Sequence, residues 1–229
     1  MRTFGPFEGR QRNDSLWLDP FVRKVAAYMH EKGLEFELKG TGFPNHSPEF
    51  CEASPFKKMP ALQDGDYCLA DSSAIIHYLE AKHPTPSLIP ADPQARGKVV
   101  WFDEFSDTIM AACGAKMFFN RIVGPRFIGI PGDQDAADLA ERSELPPILD
   151  YIERVAPEGD GYLVGDSLTV ADISVASPFV NLRHLRTELD ESRYPKTIAY
   201  VQRILSRPSF APLVESETAL LERTAVPAE

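Results

Sequence analysis

Two short stretches decide the fold of this chain of 229 residues: SPFKKMPAL at residues 54–62 and DSSAI at residues 71–75. A proline that opens an apolar strand has no N–H to donate to a β-ladder, so Pro60 suits the first residue of a strand. We predict that the Met59–Pro60 peptide bond is cis. Such a bond would turn the N–H and C=O of Met59 outward, toward a peptide-like ligand.

A β-hairpin is predicted to connect the two stretches. The DGD sequence at residues 64–66 is typical of a tight turn between strands at residues 60–63 and 67–70. The hairpin would deliver Asp71 and Ser72 to the start of a helix, where N–H groups without helical acceptors and the helix dipole favour a carboxylate. An extended backbone beside a carboxylate pocket suits a small peptide with an α-carboxylate.

Each feature alone also has a plainer explanation, since Pro60 could simply shape a strand end and Asp71 could simply cap a helix. Together, at this spacing, they resemble the glutathione-binding half of the cytosolic glutathione S-transferases. The signature of that family is a cis-proline in a VPAL run, a turn, and then Glu or Asp with Ser and AI at a helix start. Here the two runs read MPAL at residues 59–62 and DSSAI at residues 71–75.

The resemblance implies an α+β protein of two domains, the first thioredoxin-like and the second an all-α bundle. Local signals in the first domain fit this order, although periodicity alone indicates only a mixed α/β fold. The predicted elements are a strand at residues 2–6, a helix from Pro20 to Gly33, a strand at 35–38, a short helix near 47–51, the hairpin, and a helix from 71 to 83.

A proline-rich stretch, PTPSLIPADP at residues 84–93, marks the predicted domain boundary. We therefore assign residues 1–83 to a thioredoxin-like glutathione-binding domain, residues 84–93 to a linker, and residues 94–229 to an all-helical C-terminal domain.

Two long helices are predicted near the start of the C-terminal domain. The first covers residues 94–119, and the second covers residues 135–155 with a kink or break at Pro146-Pro147. Their apolar sides are formed by Val99, Phe102, Phe105, Ile109, Met110 and Met117 in the first helix, and by Leu139, Ile148 and Ile152 in the second.

The run LTVADI at residues 168–173 predicts a well-capped helix start. Thr169 is placed as the N-cap, Asp172 completes a capping box, and Leu168 with Ile173 forms a hydrophobic staple. A similar T-x-A-D run recurs in the C-terminal domain of glutathione transferases, and its role here is interpreted as structural.

By the resemblance, six residues hold glutathione: His46, Lys58, Met59, Pro60, Asp71 and Ser72. The Met59 backbone would pair with the cysteinyl part beside Pro60. Asp71 would face the γ-glutamyl ammonium, and Ser72 with nearby N–H groups would hold the γ-glutamyl carboxylate.

The run at residues 54–66 is most similar to the theta class, in which a His and the Lys before the clamp approach the glycyl end. Those roles map to His46 and Lys58. The spacing is one residue short for His46, and a solvent-facing histidine at a helix start is the open alternative.

The group that would activate the thiol departs from the family pattern. An S-P-F-x-x-R/K motif is common before the first helix, but this chain has DPFVRK at residues 19–24. Two negative charges ~4 Å apart repel by about 4 kcal/mol at an effective dielectric near 20, enough to raise a thiol pKa by about three units. Asp19 is therefore interpreted as an N-cap that bonds the N–H of Val22 or Arg23. Ser15 is the predicted activator, with Trp17 as the alternative.

Composition excludes several other classes of function. The net charge of −10, divided as −2 over residues 1–83 and −8 over the rest, argues against nucleic acid and anionic membranes. We expect a cytoplasmic protein without a signal peptide, membrane span or metal site. The three cysteines, Cys51, Cys68 and Cys113, form no CxxC motif and indicate no disulfide framework.

The predicted function is a glutathione transferase, acting on a small electrophile as a homodimer. The co-substrate would lie against apolar residues such as Phe105, Ile109, Met110, Met117 and Phe118, which would otherwise be core. A non-catalytic glutathione-binding or interaction module is the alternative, favoured by Asp19 at the position where an activating hydroxyl or thiol is expected.

Overall fold

The computed structural model describes residues 1–4, 18–41 and 46–224, which fall into two compact units, Met1–Ser87 and Leu88–Glu229. The proline-rich residues 84–93 lie across this division, and their role as a linker stays a prediction. Among the described helices, none has both the length and the apolar character needed to cross a membrane.

The first unit is built on a four-stranded sheet with the order β2-β1-β3-β4. Strands β1 and β2 are parallel, whereas β3 is antiparallel to both of its neighbours. This arrangement confirms the predicted thioredoxin-like domain. Its elements are β1 (Arg2–Phe4), α1 (Pro20–Glu31), β2 (Glu37–Lys39), α2 (Pro48–Ala53), β3 (Ala61–Asp64), β4 (Tyr67–Ala70) and α3 (Ser72–Lys82).

Helix α1 begins as its sequence predicts. Asp19 is the N-cap and Pro20 takes the first helical position, where the missing N–H of proline costs nothing. Val25 and Met29 are fully buried on its apolar side, as is Tyr28, whose hydroxyl donates to Glu80 at 2.6 Å. Lys32 pairs with the same carboxylate at 2.7 Å, so one buried network ties α1 to α3.

The second unit is helical throughout its regular elements, as predicted. Three segments are wound as wider π-helix, at Phe105–Met110, Phe119–Ile128 and Ala140–Glu144. The α-helices are α4 (Pro93–Glu104), α5 (Ala111–Phe118), α6 (Gln134–Leu139), α7 (Leu145–Val155), α8 (Val170–His184), α9 (Pro195–Leu205) and α10 (Ala211–Arg223).

Two residues predicted on apolar helix faces are exposed instead. Ile109 is 45% exposed and Leu139 is 57% exposed. Ile109 lies within a π-helical segment, and Leu139 ends α6 directly before another. The other residues predicted to line the co-substrate site, Phe105, Met110, Met117 and Phe118, are buried in the core of the second unit.

Helix α8 is the buried centre of the second unit, and the predicted capping box begins it. The Asp172 carboxylate accepts from the Thr169 N–H at 2.9 Å and also from the Leu163 N–H and the Tyr200 hydroxyl, each at 2.9 Å. Burial raises the pKa of Asp172 although these hydrogen bonds favour its charged form. Asp172 therefore joins two separate segments, the one at Leu163 and helix α9, to the start of α8.

Candidate functional site

The β3–β4 ladder brings the two predicted halves of the site together. Ala61 pairs with Ala70, so the residue before β3 meets the residue after β4. The Asp71 N–H donates to the Pro60 carbonyl at 3.3 Å. Pro60 and Asp71, eleven residues apart in sequence, are thus adjacent at the open end of the hairpin.

The Met59–Pro60 peptide bond is cis, as predicted. Pro60 is buried, and the half-buried Met59 side chain packs against a cluster formed by Phe50, Ala53 and Ala61. Because its side chain is held in this cluster, the backbone of Met59 is fixed in place at the start of β3.

Asp71 caps helix α3 and has an unusual backbone conformation. Its Oδ1 accepts from the Ala74 N–H at 3.0 Å, and its φ of +82° lies in a region that non-glycine residues rarely adopt. The Oδ2 atom makes no hydrogen bond to any described residue and the side chain is exposed. Backbone strain of this kind persists where surrounding structure imposes it, often at ligand sites. Ser72 follows as the buried first residue of α3.

A buried positive charge lies beside the first turn of α3. Lys24 of α1 is 1% exposed, and its Nζ is 3.3 Å from the Ser73 hydroxyl. Its charge adds to the positive end of the α3 dipole and favours an anion there. The sequence did not single out Lys24, because a lysine within a helix is usually solvated and its partner is 49 residues away.

The loop before Pro60 is held by Ser54, another residue that the sequence analysis missed. Its hydroxyl accepts from the Lys58 N–H at 3.0 Å and donates to the Lys58 carbonyl at 2.7 Å. Ser54 is 1% exposed, whereas Lys57 and Lys58 are exposed. A serine that ends a helix just before proline is a known signal for such a local turn, and that signal was available.

His46 lies just before α2 and is half-buried. Its Nδ1 is 3.3 Å from the Thr41 carbonyl, and its ring centroid lies 5.0 Å from that of Phe50. These contacts fix the ring orientation at the helix start. They leave open both readings of His46, as a ligand contact and as a helix-start residue.

The predicted activators lie outside the described residues, but Asp19 does not. Its Oδ1 accepts from the Phe21 N–H at 2.8 Å and from the Val22 N–H at 3.0 Å. The capping interpretation is confirmed for Val22, whereas the Arg23 N–H bonds the Asp19 backbone carbonyl instead. Ser15 and Trp17 fall within residues 5–17, so Ser15 stays a prediction from sequence.

Burial makes the thiols of two of the three cysteines, Cys68 and Cys113, less acidic, because it raises the pKa of each. Cys113 is buried with its Sγ 3.7 Å from the Ala140 carbonyl, and burial raises its pKa to about 11. Burial also raises the pKa of Cys68. No group of three or more metal-ligating side chains occurs in the described ranges.

A cis-proline before an inner strand of the sheet, joined to a helix start and followed by a helical second unit, defines a glutathione-transferase type of protein. The family model for the glutathione S-transferase N-terminal domain matches residues 18–87, and the model for the C-terminal domain matches residues 131–217. The chain belongs to the cytosolic glutathione S-transferase superfamily.

Individual relatives agree with this assignment. A glutathione S-transferase 3 from Zea mays is 32% identical over 201 residues, covering 84% of this chain and 88% of its own length. A theta-3 enzyme from Mus musculus is 29% identical over 188 residues, covering 80% and 76%. Among solved structures, a glutathione transferase from Phanerochaete chrysosporium with oxidised glutathione has a TM-score of 0.75 at 22% identity, covering 97% and 96%.

Proposed function

We propose that this protein binds reduced glutathione at the open end of the β3–β4 hairpin and conjugates its thiolate to an apolar electrophile. The observation that carries the proposal is the hydrogen bond between Asp71 and Pro60 within the Ala61–Ala70 register. It holds the Met59 backbone and the start of α3 at a fixed spacing, as a short peptide ligand with a terminal carboxylate requires.

In this proposal each end of glutathione has its own partners. The cysteinyl unit pairs with the Met59 backbone as an added strand would. The γ-glutamyl carboxylate lies at the α3 N-terminus near Ser72, where the helix dipole and Lys24 favour negative charge, and its ammonium faces Oδ2 of Asp71. Lys58 and His46 approach the glycyl carboxylate.

Conjugation requires that the glutathione thiol lose its proton before attack. The thiolate sulfur then forms a bond to an electrophilic carbon. In a substitution a leaving group departs with its bonding pair, and in an addition to a double bond the pair moves to the neighbouring carbon, which accepts a proton. A hydroxyl that donates to the thiolate is worth roughly 10²–10⁴ in rate. Ser15 is our candidate for this hydroxyl.

A second candidate function is a glutathione-binding module without transferase activity. Asp19 favours it, because this carboxylate occupies the expected activating position and is turned onto its own helix. The strained backbone of Asp71 and its hydrogen bond to Pro60 favour a ligand site both for an enzyme and for a binding module.

Calorimetry with reduced glutathione tests the binding site. Ser72→Ala should weaken binding by about 1–3 kcal/mol, the usual loss when a hydrogen bond to a charged group is removed. Asp71→Asn should retain the helix cap but weaken binding through loss of the ammonium partner. The matched control is Ser87→Ala, which removes a serine of the same unit that bonds Glu80. Unchanged affinity in Ser72→Ala would remove this pocket from the proposal.

Ultraviolet absorbance of bound glutathione and a conjugation assay then separate the two functions. An enzyme should stabilise the thiolate at neutral pH and lose both the thiolate signal and activity in Ser15→Ala. Binding without a thiolate signal or turnover would identify the non-catalytic module. Full activity in Ser15→Ala would show that another group stabilises the thiolate.

A further inference from the structure

A groove of about 340 Å³ opens in the second unit between the end of α8 and helix α9. Its apolar wall is formed by Phe179, Leu182, Leu189, Ile198, Val201 and Leu205. None of these residues belongs to the proposed glutathione site. At ~30 Å³ per water the groove has room for about eleven water molecules, which is the size of a small ligand.

The polar residues of this groove favour a negatively charged group. Arg183 lines it, is exposed, and its guanidinium has no ion pair or hydrogen bond to a described residue. The other polar lining residues are Thr187, Gln202 and Ser206, so no Asp or Glu of the described chain lines the groove. The groove therefore combines an apolar wall with one uncompensated cation.

The end of α8, beside the groove, is closed by backbone hydrogen bonds of its own. Arg186 takes a left-handed conformation, with φ of +57°, and closes the helix. The Thr187 N–H donates to the Leu182 carbonyl and the Arg186 N–H donates to the Arg183 carbonyl, each at 3.0 Å. These last carbonyls are thus already paired, and their partial negative charge is less available to repel an anion.

Thr187 shows that the polar wall is incomplete. Its Oγ1 is buried and has no hydrogen-bond partner in the described structure. Buried hydroxyls are nearly always paired, so a water or a ligand oxygen in the groove would satisfy this one. A ligand oxygen would do so after rotation of the threonine side chain.

We propose that this groove binds a small apolar carboxylic acid, aromatic or medium-chain aliphatic. The ring or chain lies on the apolar wall and the carboxylate pairs with Arg183. This site is separate in composition from the glutathione site, so it does not depend on the proposed transferase activity.

Calorimetry with 2-naphthoate, in the presence of saturating reduced glutathione, tests the proposal. Naphthalene-2-carboxamide is the uncharged probe of the same shape. We expect saturable binding of the acid and binding of the amide about 3- to 5-fold weaker, since an exposed ion pair contributes modestly. Arg183→Gln should weaken binding of the acid by a similar factor, so that acid and amide bind equally well. Arg186→Gln, which removes a charge outside the groove, should change neither the affinity for the acid nor its preference over the amide.

A second pair of variants tests whether the probes bind in the groove, by placing a large side chain inside it or beside it. Gln202→Trp places an indole in the groove from an exposed position of α9 and should weaken both probes about 10-fold or more. Ala199→Trp makes the same kind of change at an exposed α9 residue that does not line the groove, and should leave both affinities unchanged. Thermal melts confirm that each variant is folded.

Three results would overturn the proposal. These are the absence of saturable binding to the wild type, equal affinity for acid and amide, and retention of acid binding in Gln202→Trp. The first of these results, combined with binding of the acid when glutathione is omitted, would place the acid in the glutathione site. A change of molar mass in Gln202→Trp without probe binding to the wild type would assign the groove to a second copy of the chain.

Discussion

Asp19 and Asp71 cap the first and third helices of the same domain, but their surroundings differ. The Oδ1 of Asp19 accepts from two N–H groups at the start of α1. The Oδ1 of Asp71 accepts from one, its Oδ2 bonds no described residue, and its backbone is strained. Capping is common to both carboxylates, whereas of the two only Asp71 has the strained backbone.

The first prediction concerns Asp19. Asp19→Asn should change the free energy of unfolding by only a few tenths of a kcal/mol, because Asn caps about as well, whereas Asp19→Ala should cost about 0.5–2 kcal/mol. Urea denaturation measures both, with Asp66→Asn as an exposed control. The capping role predicts no gain of conjugation activity in Asp19→Ser. A lower pKa of the bound thiol in that variant would instead place the carboxylate beside the sulfur.

Caps and turns could be predicted because they depend on neighbouring residues. Asp19, Asp71 and Thr169 act within a few positions of their partners. The sequence predicted Asp19 and Thr169 as N-caps and offered capping as the plainer alternative for Asp71. Lys24 could not be predicted in this way, because its contact with Ser73 exists only once α1 packs on α3.

At the scale of elements, helical periodicity failed where the winding changes. A π-helical turn bonds i to i+5 and holds about one residue more than an α-helical turn, so it rotates the apolar face. Phe105 and Met110 are five residues apart and are both buried, whereas Ile109, four residues after Phe105, is exposed. If a helical period of 3.6 residues is continued through this segment, Ile109 is therefore wrongly predicted to be buried.

The next prediction concerns the contact between the β3–β4 hairpin and α3. Asp64 accepts from the Tyr78 hydroxyl at 2.9 Å and from the Lys82 ammonium. The Lys82 hydrogen bond is the main cause that lowers the pKa of Asp64 below its usual 3.8. Below pH 3.8 the unfolded state therefore binds protons more readily than the folded state, and this contribution to stability is lost as the pH falls through the folded pKa.

Lys82→Gln should accordingly lower the Tm at about pH 6, and the difference from wild type should shrink as the pH falls through the lowered pKa of Asp64. Calorimetric melts across this range measure the effect. Lys98→Gln, which removes an exposed lysine of the second unit, is the control. A difference in Tm that persists unchanged at the lowest pH would show that Lys82 acts by packing and not through the Asp64 carboxylate.

At the scale of the whole molecule, the two-domain fold could be predicted because its motifs lie in both halves of the chain. The MPAL and DSSAI runs identify the first domain and the LTVADI run identifies the second. The co-substrate wall could not be derived in this way, since buried core and ligand wall have the same apolar composition. Four of the five residues predicted for that wall are buried in the core of their own unit.

We further predict a homodimer, from the family resemblance and because symmetric pairs are the commonest assembly. Light scattering at micromolar concentration should give twice the chain mass of 25.5 kDa. A dilution series serves as the control, because a specific dimer dissociates at a defined concentration. A mass of 25.5 kDa throughout the series would contradict the prediction.

The hairpin has its turn at Gly65-Asp66 and the candidate site at the opposite, open end. A glycine inserted after Gly65 lengthens the loop and leaves the ladder register intact, so glutathione affinity should stay within about 2-fold of wild type. The same insertion after Leu69 shifts the last residue of β4 by one position and separates Asp71 from Pro60, so calorimetry should detect no binding. Equal affinity of the two insertion variants would contradict this. If glutathione binds here as proposed, descendants of this chain are free to vary in length at the tip of the hairpin, whereas selection for binding excludes even one added residue at its base.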